Sequence, residues 1–170
     1  ATDDFFTVNL NQTKTLNLIA NDSDPDGQID GSTLMVVQDT NTGSVVNNGD
    51  GTVDYTAPNF ETFTFFTYQV RDNLGALTNE ATVGLTIENG APIAEDDYVA
   101  TAQDVPVTID VLANDSDDRA LIPGNLSVQN APANGTLSVD PGTGEITYTP
   151  NIGFNGVEVL FYAVSDSGGK

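Results

Sequence analysis

The sequence predicts an all-β chain built as two tandem β-sandwich modules. Two observations set the secondary structure and a third sets the organisation. Apolar residues alternate with polar ones at a period of two, the mark of half-buried strands. These runs return every 8–12 residues or so, separated by Gly, Asn, Asp and Pro, which is sandwich spacing. A series of short motifs then occurs twice in the same order, about 93 residues apart, and a repeat of that length is one folded module copied.

In the first copy, strands are expected at 5–10, 15–19, 33–37, 43–46, 52–56, 63–71 and 80–88. The loop after the second strand carries Asp22, Asp24 and Asp26. Asn48-Gly49-Asp50-Gly51 separates the fourth and fifth strands and reads as a hairpin turn, because Gly and Asn tolerate positive φ. In the sixth strand Phe66, Tyr68 and Val70 share a face. In the seventh, Ala81, Val83, Leu85 and Ile87 alternate with Thr82, Gly84, Thr86 and Glu88. The second copy shows the same features in Val107, Ile109 and Val111, in the turn Pro141-Gly142-Thr143-Gly144, and in Leu160, Tyr162 and Val164. Phe5, Phe63, Phe65, Phe66, Tyr68 and Tyr162 lie in strand patterns and are read mostly as core. No stretch has helical periodicity.

The repeat fixes the boundaries. Ala20-Asn21-Asp22-Ser23-Asp24 returns as Ala113-Asn114-Asp115-Ser116-Asp117, and Asp3-Asp4-Phe5 as Asp96-Asp97-Tyr98. Tyr68-Gln69-Val70-Arg71-Asp72 returns as Tyr162-Ala163-Val164-Ser165-Asp166 with one residue inserted before it. The expected modules are therefore 1–88 and 94–170, joined by a Gly- and Pro-containing linker at 89–93.

Composition narrows the function. The 170 residues carry 25 Asp+Glu against 4 Lys+Arg, a formal net charge of −21, with no His and no Cys. Phosphate backbones need clustered Lys and Arg, so nucleic acid is excluded as a partner. Anionic membrane surfaces repel the chain, and no apolar run is long enough for a membrane span. Zinc, haem and iron–sulfur sites, and His- or Cys-based catalysis, lack their usual residues. No secretory leader is expected at the first residues. A hydrophobic content of 38% is too high for a disordered acidic tail, so the chain folds despite its own repulsion. Asp outnumbers Glu by 19 to 6. Asp is a poor helix former that favours turns, where short carboxylates serve as ligands for hard cations.

The acids are not scattered. Strands in a sandwich run alternately up and down, so the start of the first strand, the loop after the second and the end of the sixth share one pole. Asp3, Asp4, Asp22, Asp24, Asp26 and Asp72 fall there in the first copy, and Asp96, Asp97, Asp115, Asp117, Asp118 and Asp166 in the second. Two carboxylates 4 Å apart repel by about 4 kcal/mol at an effective dielectric near 20. Such a group raises its pKa values or binds cations. Calcium takes about 6–8 oxygens, and these loops with the carbonyls of Asn21 or Asn114 match that demand better than magnesium's tight octahedron. The expectation is one or two Ca²⁺ per module. A soluble acidic coat is the plain alternative, but a coat has no reason to recur at one pole of both copies. An EF-hand is excluded because Asp22-x-Asp24-x-Asp26-Gly27 has Thr33 rather than Glu at the twelfth position and no flanking helices. The Asn-x-Ser/Thr triplets at Asn11, Asn21, Asn114, Asn125 and Asn134 are read as incidental.

Taken together, these residues resemble the bacterial cadherin-like or Ig-like tandem repeats of large surface adhesins and secreted multidomain proteins. The resemblance rests on Val111-Leu112-Ala113-Asn114-Asp115-Ser116-Asp117, Gly135-Thr136-Leu137, Ile146-Thr147-Tyr148-Thr149-Pro150, Gly153-Phe154-Asn155-Gly156 and Tyr162-Ala163-Val164-Ser165-Asp166. The first copy fits more loosely, through Leu18-Ile19-Ala20-Asn21-Asp22, Tyr55-Thr56-Ala57-Pro58 and Tyr68-Gln69-Val70-Arg71-Asp72. It implies two Ig-like (cadherin-like) Greek-key sandwiches acting as a calcium-stiffened, non-catalytic spacer or adhesive stalk at a bacterial cell surface. Neighbouring repeats, other subunits, surface glycans or surface proteins are the implied partners. Asp118-Arg119-Ala120 stands where the first copy has Asp26-Gly27, which alters the second metal pole.

The second copy has no counterpart of the seventh strand, since only four residues follow Asp166. A continuation beyond Lys170 is the expected explanation. Strand donation between subunits of an extracellular filament is the alternative. Carbohydrate binding ranks lower, because Trp is absent. Catalysis ranks lowest, since paired carboxylates in repeated loops imply no cleft.

Overall fold

A computed structural model describes all of residues 1–170. The chain forms two compact units, Ala1–Asn89 and Gly90–Lys170. Apart from one 3₁₀ turn at Pro123–Asn125, every regular element is a strand.

The first unit has seven strands: β1 (Asp4–Asn9), β2 (Thr13–Asn17), β3 (Ile29–Gln38), β4 (Ser44–Asn47), β5 (Thr52–Thr56), β6 (Thr62–Asp72) and β7 (Ala81–Glu88). All seven predicted strands are present. They form one sheet in the order β1-β7-β6-β3 and a second in the order β2-β5-β4. Their inner faces enclose a core that includes Val8, Leu16, Leu34, Val53, Tyr55, Phe66, Tyr68, Val70, Val83 and Leu85. The predicted inward faces of β6 and β7 are the observed ones. The β4–β5 turn has Gly49 at φ 76° and Gly51 at φ 92°, a region that side chains with a Cβ rarely enter.

Three of the predicted core aromatics lie outside. Phe5, Phe63 and Phe65 are 74%, 61% and 41% exposed. Period two decides this: they alternate with the buried Asp4, Thr64 and Phe66, so they must face the opposite way. Phe5 and Phe65 are both in register with Gly84 of β7. A Cβ on Gly84 would meet the Phe5 ring at 2.8 Å and the edge of Phe63 at 3.4 Å. The rings therefore close over a glycine floor on the outer face.

The second unit keeps part of this plan. β8 (Val107–Ile109), β10 (Gly135–Val139) and β11 (Ile146–Pro150) form a sheet in the order β10-β11-β8, matching β4-β5-β2. β9 (Ser127–Val128) pairs with β12 (Tyr162–Ala163) as β3 pairs with β6, but each is only two residues long. No strand corresponds to β7, and none corresponds to β1 either. The second absence follows from the first. In the first unit β1 is an edge strand whose ladder partner is β7, in parallel register from Asp4↔Val83 to Asn9↔Glu88. Without that partner the equivalent segment 97–102 has no ladder to join. The second core is correspondingly small, with Val111, Leu126 and Ile146 buried and seven half-buried residues around them.

Candidate metal centre

Each acidic pole divides into an inner and an outer group. The inner group is organised by a tyrosine. The Tyr68 hydroxyl lies 2.8 Å from the Leu18 carbonyl, 3.1 Å from Asp22 Oδ2 and 3.4 Å from the Thr2 carbonyl. Tyr162 repeats the arrangement with the Val111 carbonyl at 2.9 Å, Asp115 Oδ1 at 2.9 Å and the Glu95 carbonyl at 3.4 Å. Burial and the neighbouring Asp charges push both phenols well above their usual range. They stay protonated and can always donate. Asp22 Oδ1 also accepts the Thr2 N–H at 2.7 Å, as Asp115 Oδ1 accepts that of Glu95 at 2.9 Å. Asp22 and Asp115 thus hold the incoming chain against the tyrosine.

Asp4 and Asp97 complete the inner groups. Asp4 is buried, and its Oδ2 has no hydrogen-bond partner. Burial first, then the charges of Asp22 and Asp3, push its carboxyl up to about 6, although Tyr68 and Asn21 pull the other way. Asp97 shifts in the same direction for the same first reason, with the charge of Asp115 next. Asp3 Oδ1 accepts the Thr82 N–H of β7 at 2.8 Å. Asn21 and Asn114 each donate from Nδ2 to a backbone carbonyl, of Asp3 and Asp96 respectively, at 3.3 Å. Asp96 is exposed, with the Tyr98 hydroxyl 3.4 Å from its Oδ2.

The outer group is where carboxylates converge. In the second unit, Asp117, Asp118 and Asp166 each place a carboxylate oxygen within 4.8 Å of the others. Asp166 is 2% exposed, and its Oδ1 accepts the Gly168 and Lys170 N–H groups at 2.9 and 2.8 Å. Asp72 has the same role in the first unit, accepting from Leu74 and Ala76 at 2.8 Å each. One oxygen of each Asp therefore closes the turn after the sixth-strand position. Asp117 Oδ1 is buried with no hydrogen-bond partner, and so is Asp24 Oδ2 in the first unit. Burial chiefly, with Asp166 and Asp118 adding their charge, raises the Asp117 carboxyl. Asp24 is raised chiefly by burial, with Asp26 and Asp72 as its charged neighbours. Gly27 lies so close to Asp24 Oδ2 and Asn73 Oδ1 that a Cβ there would collide with both.

The outer loop of the second unit also holds the entering chain. Gly90 N–H donates to Asp118 Oδ2 at 2.8 Å. Ile93 and Ser116 exchange both backbone hydrogen bonds, at 2.8 and 3.0 Å. Residues 90–93, read as linker in the sequence, are thus fastened to the Asp-rich loop. The sequence reading placed six acids per copy in one pole but did not separate the two groups. The signal was present in Tyr68 and Tyr162, which recur in both copies at nearly the same separation, 46 and 47 residues, from the inner acids they bind.

The model of one family, described as Bacterial Ig domain, matches residues 1–86 and again 89–170. The chain belongs to the bacterial Ig domain family. Solved structures similar to the two Ig domains include the protocadherin GammaB4 extracellular domain, at 16% identity and a TM-score of 0.36. That match covers 98% of this chain and 31% of the other. Drosophila N-cadherin EC1-3 is similar at 17% identity and a TM-score of 0.35, over 98% of this chain and 60% of that one. The chain therefore spans less than two thirds of either structure. None of the curated sequences compared matches it. No helix is long and apolar enough to cross a membrane.

Proposed function

We propose that the two Ig domains form a calcium-binding, non-catalytic extracellular module, a spacer or adhesive stalk of a bacterial surface or secreted protein. One observation carries the metal: Asp117, Asp118 and Asp166 present oxygens within 4.8 Å of one another, with Asp117 Oδ1 buried and unpartnered. Hard oxygen donors without His or Cys suit a hard divalent cation. Asp117, Asp118 and Asp166 would hold Ca²⁺ in the second domain, and Asp24, Asp26 and Asp72 in the first. Waters and loop carbonyls would complete the shell. The ion supplies positive charge to groups that otherwise repel. Because Asp118 also holds Gly90, binding stiffens the point where the chain enters the second domain.

Isothermal titration with CaCl₂, alongside melting curves in calcium and in chelator, tests the reading. Calcium binding only the folded state at about 100 times its Kd adds about 2.7 kcal/mol and raises Tm. Asp117→Asn should lose that increment in the second domain while leaving the apo protein folded. A melting curve identical in calcium and chelator, with no heat of binding, overturns it.

A further inference from the structure

The outer face of the four-stranded sheet in the first domain carries an aromatic patch that packs against no other element. Phe5 of β1 and Phe65 of β6 are each in register with Gly84 of β7, and Thr7 and Phe63 with Thr86. The Phe5 and Phe63 rings lean over Gly84, and Phe5 takes up the room of the missing Cβ. Gly84 is buried beneath them, while the three rings are exposed. A glycine inside a central strand weakens the sheet and marks a place of close approach to the backbone. Here it lets the rings lie across the strands instead of standing off them.

Charge, area and spacing select the occupant. No Asp, Glu, Lys or Arg falls on this face from Phe5 to Thr7, from Thr82 to Thr86 or from Phe63 to Phe65, in a chain of formal charge −21. An anionic ligand is repelled by the surrounding field, a cationic one is drawn to the acidic poles, and a second copy carries the same repulsion. At their exposures the three side chains offer roughly 350 Å², under half of the ~800 Å² per partner that a stable protein interface covers. Phe5 and Phe65 flank Gly84, so their backbones lie two strand spacings, about 10 Å, apart. That is the spacing of alternate sugars in an extended β-1,4-linked chain, which present the same face.

We propose that this patch is a binding platform for a neutral, extended β-1,4-linked polysaccharide. The chain lies across β1, β7 and β6. The C–H faces of its sugars stack on the Phe rings, whose π faces carry partial negative charge. The exposed Thr7 and Thr86 hydroxyls lie beside the rings, where they can hydrogen-bond sugar hydroxyls. The absence of Trp is no bar, since Phe offers a π face of the same kind. None of Asp24, Asp26 and Asp72 belongs to the patch, so this proposal and the calcium reading can fail separately.

The test is isothermal titration of the full 170-residue chain in chelator with cellohexaose, mannohexaose and chitohexaose. Maltohexaose, a coiled α-linked glucan, and the anionic polygalacturonate are the controls. The expected result is saturable binding of at least one of the first three, with both controls about tenfold weaker or worse. Phe63→Ala removes a stacking ring and should weaken binding about tenfold. Gly84→Ala keeps every ring but lifts Phe5 from the sheet, and should weaken binding as well. Urea unfolding shows whether each variant folds, and on the unsubstituted chain the bound oligosaccharide should shift the Phe ring NMR signals. No binding by any of the three, equal binding of either control, or unchanged affinity in both folded variants overturns the proposal. A dimer in sedimentation velocity that Phe63→Ala abolishes assigns the patch to a second copy and overturns it too.

Discussion

At the scale of single residues, tyrosine and aspartate do the work that disulfides do in other small sandwiches. The Tyr68 and Tyr162 hydroxyls each sit between the acidic loop, at Asp22 or Asp115, and the chain entering the domain, at the Thr2 or Glu95 carbonyl. Tyr68→Phe strands a buried carbonyl and should cost about 1–3 kcal/mol in urea unfolding of the first domain. Asp4 makes a pH-dependent contribution. Its carboxyl sits at about 6 in the fold against 3.8 in the open chain. The folded state therefore holds more protons between those values, and stability falls as pH rises. The contribution is complete below about 3.8 and lost as pH passes about 6. In chelator, Asp4→Asn should flatten the pH dependence of the first domain's stability across that window. An unchanged slope would place the shift elsewhere.

At the scale of elements, β7 joins the two halves of its sheet in the first domain. It pairs with β1 on one side and β6 on the other, and its inner face is wholly buried. β6 extends over 11 residues beside it. Leu85→Ala removes a fully buried side chain and should destabilise the first domain by about 2–5 kcal/mol. Ile152→Ala, at a residue 98% exposed, should stay within about 0.5 kcal/mol. Chemical denaturation of the two variants separates these outcomes.

At the scale of the whole molecule, the two domains share a plan but differ in the size of their cores. The first encloses fifteen buried apolar residues in one cluster and the second three. Calorimetry should therefore resolve two transitions, with the second domain melting first. Both should move up when NaCl is added in the absence of calcium, because the chain carries −21 and salt screens its repulsion. A single transition at all salt concentrations would count against independent cores.

The sequence by itself determined the fold class, the repeat and all seven strands of the first domain. Period-two alternation, Gly-Asn turns and a recurring motif are local properties, readable without contacts. It also placed the acids at one pole, because strand alternation dictates which loops meet. Only the tertiary structure decided which carboxylates touch. Asp22 and Asp115 are held by tyrosines more than forty residues away, and Asp117, Asp118 and Asp166 converge from two loops. The same holds for the outward Phe5, Phe63 and Phe65. Period two sets these three rings on the face opposite Asp4, Thr64 and Phe66, and the packing of the two sheets then makes that opposite face the outer one. The absence of a seventh strand in the second copy was legible. Its consequence for the first strand was not, because those two strands meet across the length of the domain and their pairing is non-local.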